Sequence, residues 1–152
     1  LAAVIELFEA RAVGSGINLR VEHTPAELQV YGDRDRLLQV LSNLVGNSLK
    51  FTPAGGSITI SCTPCAAGME FTVADTGKGM SEEDLPRLFD RHWRADPGAP
   101  GGAGLGMPIV RGIVEAHGGE IGAQSAPGLG TTIRFTIPTA HLPCIAASSP
   151  GT

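Results

Sequence analysis

The sequence predicts an α+β fold, a two-layer sandwich in which helices cover one face of a mixed, mostly antiparallel sheet. Three observations carry this. Two pairs of segments alternate apolar and polar residues, and a short turn joins each pair as in a hairpin: "SITISCT" with "MEFTVAD", and "EIGAQS" with "TTIRFTIP". One long amphipathic segment, Asp35 to Phe51, has the period of a helix. Helices and strands also mix without strict βαβ alternation, which argues against a fully parallel sheet.

In chain order, residues 1 to 13 read as a helix already under way, so the chain is expected to be a piece of a longer one. "GINLRVE" and "LQVYGD" read as short strands around Pro25. The Asp35–Phe51 helix is stopped by Pro53 and the "AGG" turn. After the first hairpin, "SEEDL" reads as the start of a short helix, with Ser81 as cap and Asp84 completing a capping box, and Pro86 restarting or kinking it. "ADPGAPGGAG" has the composition of a mobile loop. Pro108 to His117 reads as a helix with proline in its first turn and Gly118 past its end. The second hairpin follows, and residues 139 to 152 read as a disordered tail.

Composition narrows the function. A chain of 152 residues with 42% hydrophobic content supports one domain with its own core, and 5% aromatics make that core aliphatic. The net charge is −4, the only lysines are Lys50 and Lys78, and the arginines are scattered, so a nucleic-acid surface is not expected. No apolar run approaches the roughly 20 residues of a membrane span. Three cysteines and the lack of a signal peptide suit a reducing, cytoplasmic setting, although segments outside the chain could anchor a parent protein to a membrane. Cys62 and Cys65 form a CxxC without a second ligand pair, read as a strand cysteine followed by a turn cysteine rather than a metal site.

Chemistry concentrates on one helix and two glycine-rich loops. At 100° per residue, Leu37, Leu38, Leu41, Leu44, Val45 and Leu49 share one face of the Asp35–Phe51 helix, and Arg36, Gln39, Asn43, Asn47 and Lys50 share the other. A solvated polar face accounts for the second stripe as well. Asparagine is nevertheless a poor helix former, and its neutral oxygen can ligate a hard cation such as Mg²⁺. Lys50, one turn on, is placed to meet a phosphate as a point charge. In "DTGKGM", Asp75 ends a strand and opens a turn. It is either an ordinary turn aspartate or an acceptor for a ligand donor such as an adenine amino group, which a guanine carbonyl would not satisfy. Gly77 and Gly79 would let backbone approach the base. In "GGAGLGMPIV", Gly102, Gly104 and Gly106 precede a helix N-terminus, where free N–H groups favour phosphate; a plain linker also fits. No P-loop occurs.

Taken in order, "NLVGNSLKFTP", "DTGKGM", "LFDRHWR", "GAGLGMPIVRGIVEAHGG" and "GLGTT" resemble the N, G1, F, G2 and last glycine boxes of the catalytic ATP-binding domain of sensor histidine kinases, in the wider family of Bergerat-fold ATPases. The resemblance covers nearly all of residues 28 to 138 and implies a domain over 14–138, with residues 1–13 as the end of a preceding dimerisation helix. It implies ATP and Mg²⁺ as cofactors, with Asn43, Asn47 and Lys50 as the catalytic set and Asn47 as the metal ligand. Phe51 would pack on adenine and Asp75 would accept from its amino group. Residues 90–103 would form a lid, with Arg94, joined by Arg91 at helical spacing, reaching the terminal phosphates. Gly104 and Gly106, with Leu105 between them, would line the phosphates, and Thr131 would support the adenine pocket.

His92 stands where the F box usually has a second phenylalanine, and Pro108 where the lid helix usually has a small residue. None of His23, His92, His117 and His141 lies in a phosphoacceptor motif, so the acceptor histidine is expected on an upstream dimerisation domain of a homodimer, with a response regulator receiving the phosphoryl group. A Bergerat-fold ATP hydrolase is disfavoured because Asn43 occupies the position of its general base. An anti-sigma-factor serine kinase and a domain that binds nucleotide only structurally remain as alternatives.

Overall fold

The computed structural model describes residues 1–25, 30, 32–94, 96–98 and 104–139. Among these residues, three helices lie against one five-stranded sheet. The elements are α1 (Ala2–Gly14), β1 (Asn18–Glu22), α2 (Arg34–Phe51), β2 (Ser57–Cys65), β3 (Gly68–Asp75), α3 (Gly106–Ala116), β4 (Ile121–Ser125) and β5 (Thr131–Ile137). The sheet order is β1-β2-β3-β5-β4. β1 runs parallel to β2, and α2 makes the crossover that a parallel pair requires. Every other neighbour is antiparallel, so the sheet is mixed and mostly antiparallel as the sequence predicts.

Alternation sets the layers. Ile58, Ile60 and Cys62 of β2, Met69, Phe71 and Val73 of β3, and Ile133, Phe135 and Ile137 of β5 are buried on the helix-covered face. The register pairs them across strands, with Phe71 opposite Phe135 and Val73 opposite Ile133. The two phenylalanine rings stack at 5.0 Å, a contact that contributes about 0.5–1.5 kcal/mol beyond its buried area. The same register ends in a different chemistry. Asp75 faces Thr131, which in turn faces Ser125, so a polar row closes one end of the apolar layer. The cavity described below opens there.

α2 starts one residue earlier than expected. Asp33 caps it, accepting from the backbone N–H of Asp35 at 3.0 Å and of Arg36 at 3.1 Å. Its buried face includes Val40 and Ser48 beside Leu41, Leu44, Val45 and Leu49. Leu37 and Leu38 are only partly buried. Asn43 and Asn47 are half-buried instead of solvated, because α3 packs along that side of α2. A histidine fastens the two helices further along. His117, at the end of α3, uses Nδ1 toward the Ile113 carbonyl at 2.7 Å and accepts the Asp33 N–H on Nε2 at 3.0 Å. The cap of α2 is thereby tied to the end of α3.

Four sequence expectations are corrected. The expected strand in "LQVYGD" is reduced to an isolated antiparallel bridge of Val30 with Thr139; Leu28, Gln29 and Tyr31 lie outside the described residues. The "SEEDL" helix is a turn followed by one 3₁₀ turn at Leu85–Arg87. Ser81 Oγ does accept the Asp84 N–H at 3.2 Å, but Pro86 has no N–H with which to continue α-helical bonding. α3 begins at Gly106, two residues before Pro108, whose missing N–H falls in the first turn where no intrahelical partner exists. Cys65 is the last residue of β2 rather than a turn residue, and it is exposed whereas Cys62 is buried. Burial pushes the Cys62 thiol up, away from the reactive thiolate form. Of the expected tail, Thr139 is bridged and residues 140–152 lie outside the described residues.

α1 buries Val4, Phe8 and Ala12 against the rest of the core and leaves Leu7 and Val13 exposed. No helix among the described residues is long and apolar enough to cross a membrane.

Candidate nucleotide site

A cavity of about 450 Å³ lies between α2, the start of α3, the polar end of the sheet and the segment around Trp93. Most of the expected site residues come together on its wall. Asn43, Asn47, Lys50 and Phe51 come from α2; Asp75 from the end of β3 and Gly79 from the first glycine loop; Arg94 from the segment before α3; Gly104 and Leu105 from just before α3 and Gly106 from its start; and Thr131 from β5. Gly102 lies outside the described residues. Arg91 is exposed and does not line the cavity.

Asp75 is held from three sides. Its Oδ1 accepts the Gly77 N–H at 2.9 Å and the Thr131 N–H at 3.1 Å, and its Oδ2 accepts the Ser48 hydroxyl at 2.9 Å. These three donors hold the carboxylate in one orientation at the cavity wall. Thr131 therefore supports Asp75 through its backbone, while its hydroxyl pairs with Ser125 Oγ at 2.9 Å. Ser125 is a hub: its oxygen also accepts the Met80 N–H at 2.8 Å, and its O–H donates to the Gly130 carbonyl at 2.9 Å. The first glycine loop and the "GLGTT" turn are thus joined at one hydroxyl.

The glycines here serve close backbone packing. Gly79 has φ +68°, and a Cβ there would overlap the Ala126 carbonyl oxygen. A Cβ on Gly77 would stand 2.7 Å from the Phe51 carbonyl oxygen, so this glycine is set by the end of α2 and not by the cavity, which it does not line. Gly104 has φ +70° and lies against the backbone of His92 and Trp93, and the His92 N–H donates to its carbonyl at 3.0 Å. His92 and Gly104 are pinned together there. His92 itself has φ +62°, a left-handed conformation that histidine adopts more readily than most residues and phenylalanine less readily. The F-box departure thus coincides with an unusual backbone angle.

Positive charge gathers around Phe51. The Nζ atoms of Lys50 and Lys78 lie 5.2 and 5.1 Å from the centre of its ring, so both lysines of the chain converge on one aromatic side chain. Asn43 Oδ1 would be 3.6 Å from a Cβ on Gly106, which places that amide beside the first turn of α3. The helix N-terminus adds free N–H groups and positive potential to the cavity wall.

Sequence reasoning missed several residues of the wall. Ser48 is the main one; a hydroxyl on an otherwise aliphatic helix face is the signal that could have found it. Met80, Leu88, Trp93, Met107 and Ile109 supply apolar wall, and no periodicity distinguishes them from ordinary core residues.

Known proteins share this fold. Residues 32–141 match the model of the histidine kinase-, DNA gyrase B-, and HSP90-like ATPase family, and the chain belongs to that family. Histidine protein kinase DivJ of Caulobacter vibrioides is 40% identical over 149 residues, covering 96% of this chain and 25% of DivJ. Full-length ShkA in complex with AMPPNP superposes with a TM-score of 0.82 at 34% identity, over 91% of this chain and 29% of ShkA. Histidine kinase ThkA in complex with response regulator protein TrrA superposes with a TM-score of 0.77 at 29% identity, over 91% of this chain and 39% of ThkA. The chain therefore spans about a quarter of DivJ, and its fold is that of histidine kinase catalytic domains.

Proposed function

We propose that the chain is the ATP-binding catalytic unit of a sensor histidine kinase, acting in the cytoplasm on a histidine supplied by a helical dimerisation domain that precedes it in a homodimeric parent protein. A response regulator would then take the phosphoryl group, as the ThkA–TrrA complex suggests by analogy. The observation that carries the reading is Asp75. It is a carboxylate locked by three donors at the wall of a cavity that also carries Lys50, Arg94 and the first turn of α3. That combination suits an adenine amino group on the carboxylate and a triphosphate on the cations and helix terminus. Phe51 would pack on the base, and Lys50, Arg94, Gly104, Leu105 and Gly106 would hold phosphates.

Asn47 and Asn43 suit a magnesium ion that arrives with its nucleotide. Among the described residues no cluster of three or more His, Cys, Asp or Glu could hold a metal alone. A neutral amide oxygen beside triphosphate and water oxygens is the set that Mg²⁺ accepts. Asn47 would be the protein ligand, and the ion would supply charge neutralisation along the triphosphate.

The nucleophile has to come from outside. Among the described histidines, His23 and His92 are exposed and line no part of the cavity, and both nitrogens of His117 are engaged. A neutral imidazole from another domain attacks the γ-phosphorus; the new N–P bond forms as the bond to the β,γ-bridging oxygen breaks and ADP leaves. Activation of water is not expected from Asn43, which cannot take a proton.

With γ-labelled ATP the chain alone should release negligible phosphate and label none of its histidines. Addition of the dimerisation domain of its own parent protein should place label on that domain's histidine. Rapid phosphate release by the chain alone would support the hydrolase reading instead.

A further inference from the structure

We propose that Ser48 is a positioning residue that determines base specificity: its hydroxyl occupies one lone pair of Asp75 Oδ2, so that the carboxylate offers the cavity a single acceptor site matched to a purine 6-amino group. This rests on the reading of the cavity as an adenine nucleotide site. Ser48 lies within α2, where a serine ordinarily returns its hydroxyl to the carbonyl one turn back. It instead donates to Asp75, 27 residues away, at 2.9 Å, and its side chain is buried. The donor assignment is forced, because an ionised carboxylate only accepts.

A carboxylate has about four lone-pair sites. Gly77 N–H and Thr131 N–H take two of them at Oδ1, and Ser48 takes one at Oδ2. The remaining site is on Oδ2, at the cavity wall. Without the hydroxyl, two sites stay open and water enters beside Oδ2. The 6-amino group must then displace that water or share the oxygen with it. Affinity falls through lost pre-organisation, and only for ligands that use this oxygen.

The test measures binding of ATP and of purine riboside triphosphate, which lacks the 6-amino group, to the unmutated chain and to Ser48→Ala and Ser48→Thr. Ser48→Ala should weaken ATP about 5- to 10-fold, less than outright loss of a hydrogen bond to a charged group because the base keeps its contact with Asp75 and loses only its pre-organisation, and leave the 6-unsubstituted nucleotide unchanged. Ser48→Thr keeps the hydroxyl and should keep the preference for ATP. Equal loss for both nucleotides in Ser48→Ala would show a merely structural role and overturn the proposal, as would undiminished ATP affinity. Failure of the unmutated chain to bind either nucleotide would instead overturn the reading of the cavity, and the proposal with it.

Discussion

Replacing Asp75 with asparagine should weaken ATP binding roughly ten- to hundredfold and shift the nucleotide preference toward GTP. The direction follows from the three donors around the carboxylate. Two backbone N–H groups, from Gly77 and Thr131, converge on Oδ1, so the amide oxygen of asparagine must take that position. The NH₂ group then replaces Oδ2 at the cavity wall, beside Ser48, whose hydroxyl can rotate to accept from it. The cavity now presents a donor where it had presented an acceptor. An adenine amino group meets another donor, whereas a guanine carbonyl gains a partner. Loss of a hydrogen bond to a charged group costs about 1.5–3 kcal/mol, which sets the size of the ATP effect. Titration calorimetry with ATP and GTP measures both changes. An unaltered ATP-to-GTP ratio would contradict the role given to Asp75.

A large effect on stability is expected from Gly130→Ala. Gly130 has φ +78°, and a Cβ there would overlap the Asp75 carbonyl oxygen and stand 2.8 Å from its carbon. The left-handed angle costs a non-glycine residue about 1–2 kcal/mol. The clash is with backbone at the joint between β3 and the first glycine loop, and over-packing of this kind costs about 1–3 kcal/mol more. The melting temperature should fall by about 5–15 °C for a chain of this size, and nucleotide binding should fall with it because Asp75 must move. Gly128→Ala separates the two causes. Gly128 has φ +76°, but a Cβ there would meet nothing within 4 Å, so only the conformational cost of about 1–2 kcal/mol applies. Equal melting temperatures for the two variants would refute the backbone clash.

The strands are legible in the sequence because their chemistry is periodic: "SITIS" and "EFTV" alternate, and the buried and open faces follow that alternation. The antiparallel hairpins follow from the short turns. The order of strands is not legible, since nothing local tells β5 to insert between β3 and β4. The α2 stripe shows which residues carry chemistry but not their setting. Asn43 and Asn47 read as one edge of a solvated face, and the helix that covers them, α3, comes only after the first hairpin and the lid segment. Ser48 is hidden for the opposite reason. It is a polar residue on the aliphatic face of the helix, and its partner, Asp75, is brought to it only by the sheet. His92 is visible as a departure from the motif, whereas its positive φ belongs to the pairing of its N–H with Gly104 across the lid segment.

The most direct measurement is a structure of the chain with Mg²⁺ and a non-hydrolysable ATP analogue. The exocyclic amino nitrogen of adenine should lie within hydrogen-bonding distance, about 2.7–3.2 Å, of Asp75 Oδ2, with the Ser48 contact retained and the triphosphate at the first turn of α3 beside Gly106. A base that leaves Asp75 without a ligand contact, or a triphosphate away from that turn, would contradict the account.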